Sequence, residues 1–220
     1  MIITLVFLAA LLAFFLGWIL SRTVQVEPWV ADGGLLSDDL PDILTTPRVA
    51  LGIFLAVASS VFALSISAYH MRIEWGSDWL AAPSPALLWV NTGVLVLASL
   101  ALQWSWNAAR RKDGDSLRRW LYIGGALTVA FIFGQLLVWR QLYVGGYFMS
   151  ANPANAFFYF MTGVHGVHLL GGLVAWFRCT RRVWQGAGPE AVGASVELCT
   201  IYWHYLLVIW FILFSLLLTT

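Results

Sequence analysis

Charge is scarce in this chain. Only 10% of its 220 residues are Asp, Glu, Lys or Arg, where a soluble domain carries about 25%. With 60% hydrophobic residues, that deficit excludes an ordinary water-exposed globule and points to a polytopic membrane protein. Cysteine is nearly absent. Cys179 and Cys199 make no C-x-x-C motif and read as reduced and structural. No basic cluster with interleaved aromatics suggests nucleic acid as a partner. The sequence also holds no phosphate loop, no nucleophile with a paired base and no C-x-x-C-H haem attachment. It offers no catalytic centre, metal site or cofactor site of its own.

What is present is length in apolar runs. A span needs about 20 mainly apolar residues, and six segments qualify: 2–20, 48–70, 85–107, 119–142, 155–178 and 196–218. The expected fold is therefore all-α, a six-helix transmembrane bundle. Segment 2–20 lacks the basic start and the A-x-A site of a signal peptide, and is expected to be a retained helix. Residues 21–47 form a polar, acidic connection with Glu27, Asp32, Asp38, Asp39 and Asp42, and with turn-forming Pro28, Gly33, Gly34 and Pro41. Residues 1–47 thus read as an added helix and loop, and 48–220 as a five-helix core.

Basic residues set the expected orientation. Alternating the loops puts Arg22, Arg48, Arg110, Arg111, Lys112, Arg118, Arg119, Arg178, Arg181 and Arg182 on one side, and only Arg72 and Arg140 on the other. The first side is expected to be cytoplasmic, with both termini outside. Trp79, Tyr143 and Tyr147 suit an outer aromatic belt.

Segment 155–178 holds His165 and His168 in an apolar run, three residues apart and so expected on one helix face, and ionisable residues at such depth usually have a reason to be there. By helical rise, His165 lies roughly 15 Å and His168 roughly 20 Å from the outer end, and His204 about 12 Å above the inner start of its helix. His168 and His204 then share a depth, with Ser59 and Ser60 near that of His165 and Glu197 at the inner rim. Polar groups are expected to gather on the second, fifth and sixth helices. Three imidazoles are a conceivable metal set, but no carboxylate or thiolate completes it. A proton relay or transporter needs a titratable series across the membrane, and this one is broken: Asn91, Thr92, Gln103 and Gln135 are uncharged. The simpler reading is helix-to-helix bonding or lipid contact, helped by Thr162, Gly163, Gly166, Gly171 and Gly172, small residues that permit close approach. Trp203, His204 and Trp210 are expected at lipid contacts.

Several stretches in order resemble subunit III of the haem-copper oxidases, the cytochrome c oxidase type. TGVHGVHLLGG at 162–172 is similar to the family's T-G-aromatic-H-G-L-H pattern. ELCTIYWHYLLVIW at 197–210 is similar to its E-x-x-x-W-Y-W-H-F-V-D-V-V-W segment. Asn91-Thr92 with Ser99 resembles its N-T-x-x-L-L-x-S run, and residues 54–72 resemble F-L-x-S-E-V-x-F-F-x-x-x-x-A-Y in outline. Carboxylates of the family fall here at Ser60, Leu207 and Arg140. The resemblance implies a lipid and helix-contact set of His165, His168, Glu197, Trp203, His204, Ser60, Asn91 and Thr92. It implies an accessory subunit without haem or copper, which packs on the catalytic subunit I, beside subunit II and further small subunits, in a bacterial inner membrane. Haem and copper then sit in those partners, and phospholipid is the expected ligand of this chain. The same fold serving a quinol oxidase or nitric oxide reductase is the alternative, and an independent transporter or metal-binding protein a more distant one.

Overall fold

A computed structural model describes residues 46–75, 79 and 85–219. The expected helix at 2–20, most of the acidic connection, Arg22 and both chain ends lie outside the described residues. Five helices are described, where the sequence predicts six: α1 (Thr46–Trp75), α2 (Ala86–Arg110), α3 (Gly114–Val144), α4 (Pro153–Trp184) and α5 (Pro189–Thr219). All five are long and apolar enough to cross a membrane.

Each helix overruns its predicted apolar segment. The longest, α4 with 32 residues, extends about 48 Å against a hydrocarbon core of about 30 Å. Apolar runs mark the bilayer interior, whereas caps and turns set where the backbone stops being helical. Asp113 caps α3 by accepting from the Ser116 N–H. Asn152 caps α4 ahead of Pro153, a proline at a position where no N–H is needed. The turns after α3 and α4 use Gly146 and Gly186 at positive φ, 83° and 88°. Thr46 and Pro47 are already helical, so the connection before α1 ends earlier than the expected residue 47.

The helices α2 and α3 form the most extensive pair, and α5 lies against both α2 and α4. The main core runs through Leu95, Leu102, Leu121, Phe131, Leu169, Trp203 and Trp210. Helix α1 stands apart. It touches α4 and α5, yet only 11% of its most apolar stretch is buried, against 33 to 44% in the other four. Ile53, Val57 and Leu64 lie on its exposed face.

Contacts at the helix ends define two rims. Arg48 of α1 meets Glu197 of α5, and Lys112 of the α2–α3 turn meets Glu190 at the start of α5. At the other end, Tyr69 of α1 packs with Trp79 and Phe157, and Tyr159 donates to the Tyr147 carbonyl. Nine of the ten basic residues assigned to one side fall in the described helices and turns, all toward the first rim, with Arg72 and Arg140 toward the second. Tyr143 and Tyr147 are exposed at that second rim, whereas Trp79 turns inward onto Tyr69 and Phe157.

Candidate functional site

The polar side chains of the spans are largely bonded from one helix to another, and tryptophan and threonine supply a recurring part of it. Three threonines share one arrangement. Thr92, Thr128 and Thr162 each donate the hydroxyl proton to the carbonyl four residues earlier, on Leu88, Gly124 and Phe158. The oxygen lone pairs are then left to accept. Each accepts an indole N–H from another helix: Trp210 to Thr92 at 3.0 Å, Trp203 to Thr128 at 2.8 Å and Trp139 to Thr162 at 3.1 Å. A fourth indole, Trp176, donates to the Leu121 carbonyl at 2.9 Å. Together these join α2 to α5, α3 to α5 and α3 to α4. An indole in a dry interior must place its N–H, and a threonine already bonded to its own helix is an acceptor that costs the backbone nothing.

This corrects the expectation of lipid contact for Trp203 and Trp210, which are 0% and 1% exposed. It also widens the expected polar gathering, since α2 and α3 carry as much of the network as α1, α4 and α5. Asn91 donates to Gln135 at 3.3 Å between α2 and α3, with both residues buried. Trp139, Trp176, Thr128 and Gln135 had no place in the expected site. The available signal was a threonine within an apolar run, an acceptor awaiting a donor, but spacing along one chain does not say which indole arrives.

The three membrane histidines are used separately. Fully buried His165 donates from Nε2 to the Leu206 carbonyl at 3.1 Å and lies among the rings of Phe131 and Trp210. His168 donates from Nδ1 to the Val164 carbonyl at 2.8 Å, and its ring faces Phe54 and Phe62 of α1. The expected common face of these two is thus divided: one ring looks to α3 and α5, the other to α1. His204 looks to neither. It is exposed on the outer surface of α5, with Nδ1 2.9 Å from Oγ of buried Ser99 on α2. Position 204 lies between His165 and His168 in depth, because Leu206 meets His165 and the Tyr202 hydroxyl donates to the His168 carbonyl. Among the described residues, no three His, Cys, Asp or Glu side chains are grouped to hold a metal ion.

Ser60, expected in the contact set, is exposed and, among the described residues, bonds to Ala56 of its own helix. Its neighbour Ser59 makes the contact to α5, 3.0 Å from the Tyr205 hydroxyl. One residue turns a helical side chain by about 100°, which is the difference between the two. Glu197 accepts from Nη2 of Arg48 through both carboxylate oxygens, at 2.9 and 3.0 Å. Of the expected close-approach glycines, Gly172 alone is tight: a Cβ there would sit 2.6 Å from the Tyr202 ring. Gly166 and Gly171 have open space, and Gly163 only ordinary contact with Trp139. A tighter site lies on α3, where a Cβ on Gly125 would clash with the Trp176 ring.

Fold and site together define a multi-pass membrane helix bundle whose polar residues chiefly join helix to helix. Comparison with known proteins is specific. The family model described as cytochrome c oxidase subunit III matches residues 48–219. A probable cytochrome c oxidase subunit 3 of Mycobacterium tuberculosis is 31% identical over 160 residues, covering 71% of this chain and 77% of the relative. The cytochrome c oxidase subunit 3 of Thermostichus vulcanus is 30% identical over 176 residues, 77% of this chain and 85% of the relative. The probable subunit 3 of Mycobacterium leprae is 32% identical over 162 residues, 71% and 77% respectively. The chain belongs to the cytochrome c oxidase subunit III family.

Proposed function

We propose that this chain is the non-redox accessory subunit of a proton-pumping haem-copper terminal oxidase of the aa3 or caa3 type. It sits in the bacterial cytoplasmic membrane and packs against catalytic subunit I, beside subunit II. There it stabilises the catalytic subunit, retains phospholipid and supports proton uptake during oxygen reduction. Haem and copper belong to the partner subunits.

The observation that carries this reading is the His204–Ser99 pair. An imidazole exposed on the outside of a bundle, mid-span, is costly against lipid tails. Covered by another protein's helix, the same ring becomes a hydrogen-bonding contact. The exposed apolar face of α1 adds a second surface able to be covered.

Mild-detergent purification from the native membrane tests the assignment. Larger haem- and copper-bearing subunits are expected to copurify, and His204→Leu is expected to release this chain while the haem spectrum of the remaining core is unchanged. A chain that purifies alone with a stoichiometric metal, lost in His165→Ala and His168→Ala variants, overturns the reading.

A further inference from the structure

At the basic rim, the α2–α3 hairpin encloses a recess of about 220 Å³, lined by Trp104, Asn107, Arg111, Asp113, Ser116 and Trp120. A second recess adjoins it through Asn107 and Arg111 and adds Arg110. Residues 104, 107 and 111 follow one face of α2, and 116 and 120 one face of α3. The walls therefore come from the facing ends of α2 and α3 and from Arg111 and Asp113 of the short turn that joins them.

The chemistry is graded along the membrane normal. The Trp104 and Trp120 rings meet with centroids 4.5 Å apart, and Trp104 is 45% exposed. Arg111 is seven residues beyond Trp104, about 10 Å farther out along the helix. Arg110 is held over the Trp106 ring, 5.5 Å from its centre. Residues 107–120 carry five basic and two acidic side chains, a balance of +3. Lys112 is already paired with Glu190, and Asp113 with the Ser116 N–H. Arg111 thus borders the recess, and Arg110 the adjoining one, beside Asn107, a neutral group able both to donate and to accept.

We propose that this hairpin recess binds the phosphate headgroup of one anionic phospholipid, with its acyl chain lying along the Trp104–Trp120 pair. A phosphodiester carries one negative charge and only acceptor oxygens facing the guanidinium groups, which arginine meets better than lysine. Basic recesses between membrane helices on a cytoplasmic side recognise such headgroups. A free phosphate shares the headgroup's chemistry but has nothing to place against the indoles. This site rests on the membrane-spanning fold and not on the choice of oxidase, so the two readings fail separately.

The test is a lipid titration of the complex, delipidated after purification from its native membrane and read by native mass spectrometry, which also reports the partner masses. Dioleoylphosphatidylglycerol, dioleoylphosphatidylcholine and inorganic phosphate are the three probes. One phosphatidylglycerol is expected to stay bound at concentrations where phosphatidylcholine does not, and excess inorganic phosphate is expected not to displace it. The double variant Arg110→Gln/Arg111→Gln is expected to weaken that binding about thirtyfold, and Arg178→Gln, outside the recess, to leave it unchanged. Trp104→Leu is expected to weaken it as well, and serves as the second variant if the double one does not assemble. Equal retention of the two lipids, displacement by phosphate alone, or undiminished binding in either recess variant overturns the proposal.

Discussion

The indole nitrogen of Trp203 lies 2.8 Å from Oγ1 of Thr128, and that hydroxyl gives its own proton to the Gly124 carbonyl 2.9 Å away. The threonine is therefore oriented by its own helix before the tryptophan of α5 arrives. Trp203→Phe keeps the ring and removes the N–H, and Thr128→Val removes the acceptor. Each is expected to lower the stability of the assembled bundle by about 1 kcal/mol, with a coupling of about 0.6 kcal/mol between them. A double-mutant cycle of reversible unfolding in detergent micelles measures this, and strict additivity would refute the bond as a coupled contact.

Gly172 and Gly171 are adjacent and should respond oppositely. A Cβ at 172 would sit 2.6 Å from Tyr202 and 3.1 Å from Trp203, whereas one at 171 meets nothing within 4 Å. Gly172→Ala is expected to cost about 1–3 kcal/mol through overpacking of α4 on α5, while Gly171→Ala is neutral or mildly stabilising. Comparing the thermal midpoints of the two variants decides it.

Arg48 and Glu197 tie the weakly packed α1 to the start of α5, with side chains 36% and 20% exposed. Screening at the rim limits such a pair to about 1 kcal/mol or less. Glu197→Gln is expected to raise protease sensitivity at the α1 end in low salt, with a smaller difference from the parent in high salt. The charge-swapped double variant Arg48→Glu/Glu197→Arg is expected to recover part of the loss. An effect of equal size at both salt concentrations would remove electrostatics as its cause.

Asp113 has its carboxyl pKa held below the ordinary 3.8 by hydrogen bonds from the Ser116 side chain and then its backbone. A depressed pKa means the cap contributes at pH above the ordinary value and is lost as pH falls through the lowered one. Hydrogen exchange at the Ser116 amide is expected to be slow at neutral pH and to lose its protection only as pH falls below the ordinary carboxylate range, relative to amides in the middle of α3. Asp113→Ala should abolish that protection at every pH, and Asp113→Asn should retain much of it without the pH dependence.

Much of this architecture was legible because a bilayer imposes a simple rule. With no water to satisfy backbone groups, each span has to be helical, and apolar length reveals it. That is why the runs beginning near residues 48, 85, 119, 155 and 196 each correspond to a helix, with caps and glycine turns moving the ends outward. The rim assignment of Arg48, Arg110, Arg178 and their companions was legible for the same reason. The site was legible only in part. His165 and His168 were visible as polar residues in apolar runs, but periodicity placed them on one face, and a 100° step per residue leaves i and i+3 about 60° apart. In a bundle with neighbours on several sides, that angle is enough to send one ring to α5 and the other to α1.

The sequence by itself determined that the chain is a membrane helix bundle, that one rim is basic, and, through the motifs around 162–172 and 197–210, which family it joins. Only the tertiary structure decided the pairings: Trp203 with Thr128, Trp210 with Thr92, His204 with Ser99, Arg48 with Glu197, and Ser59 in place of Ser60. The physical reason is the range of the forces. Transfer out of water depends on composition within a single segment, whereas a hydrogen bond needs two groups within about 3 Å and correctly aimed, a condition that exists only once helices distant in sequence have packed.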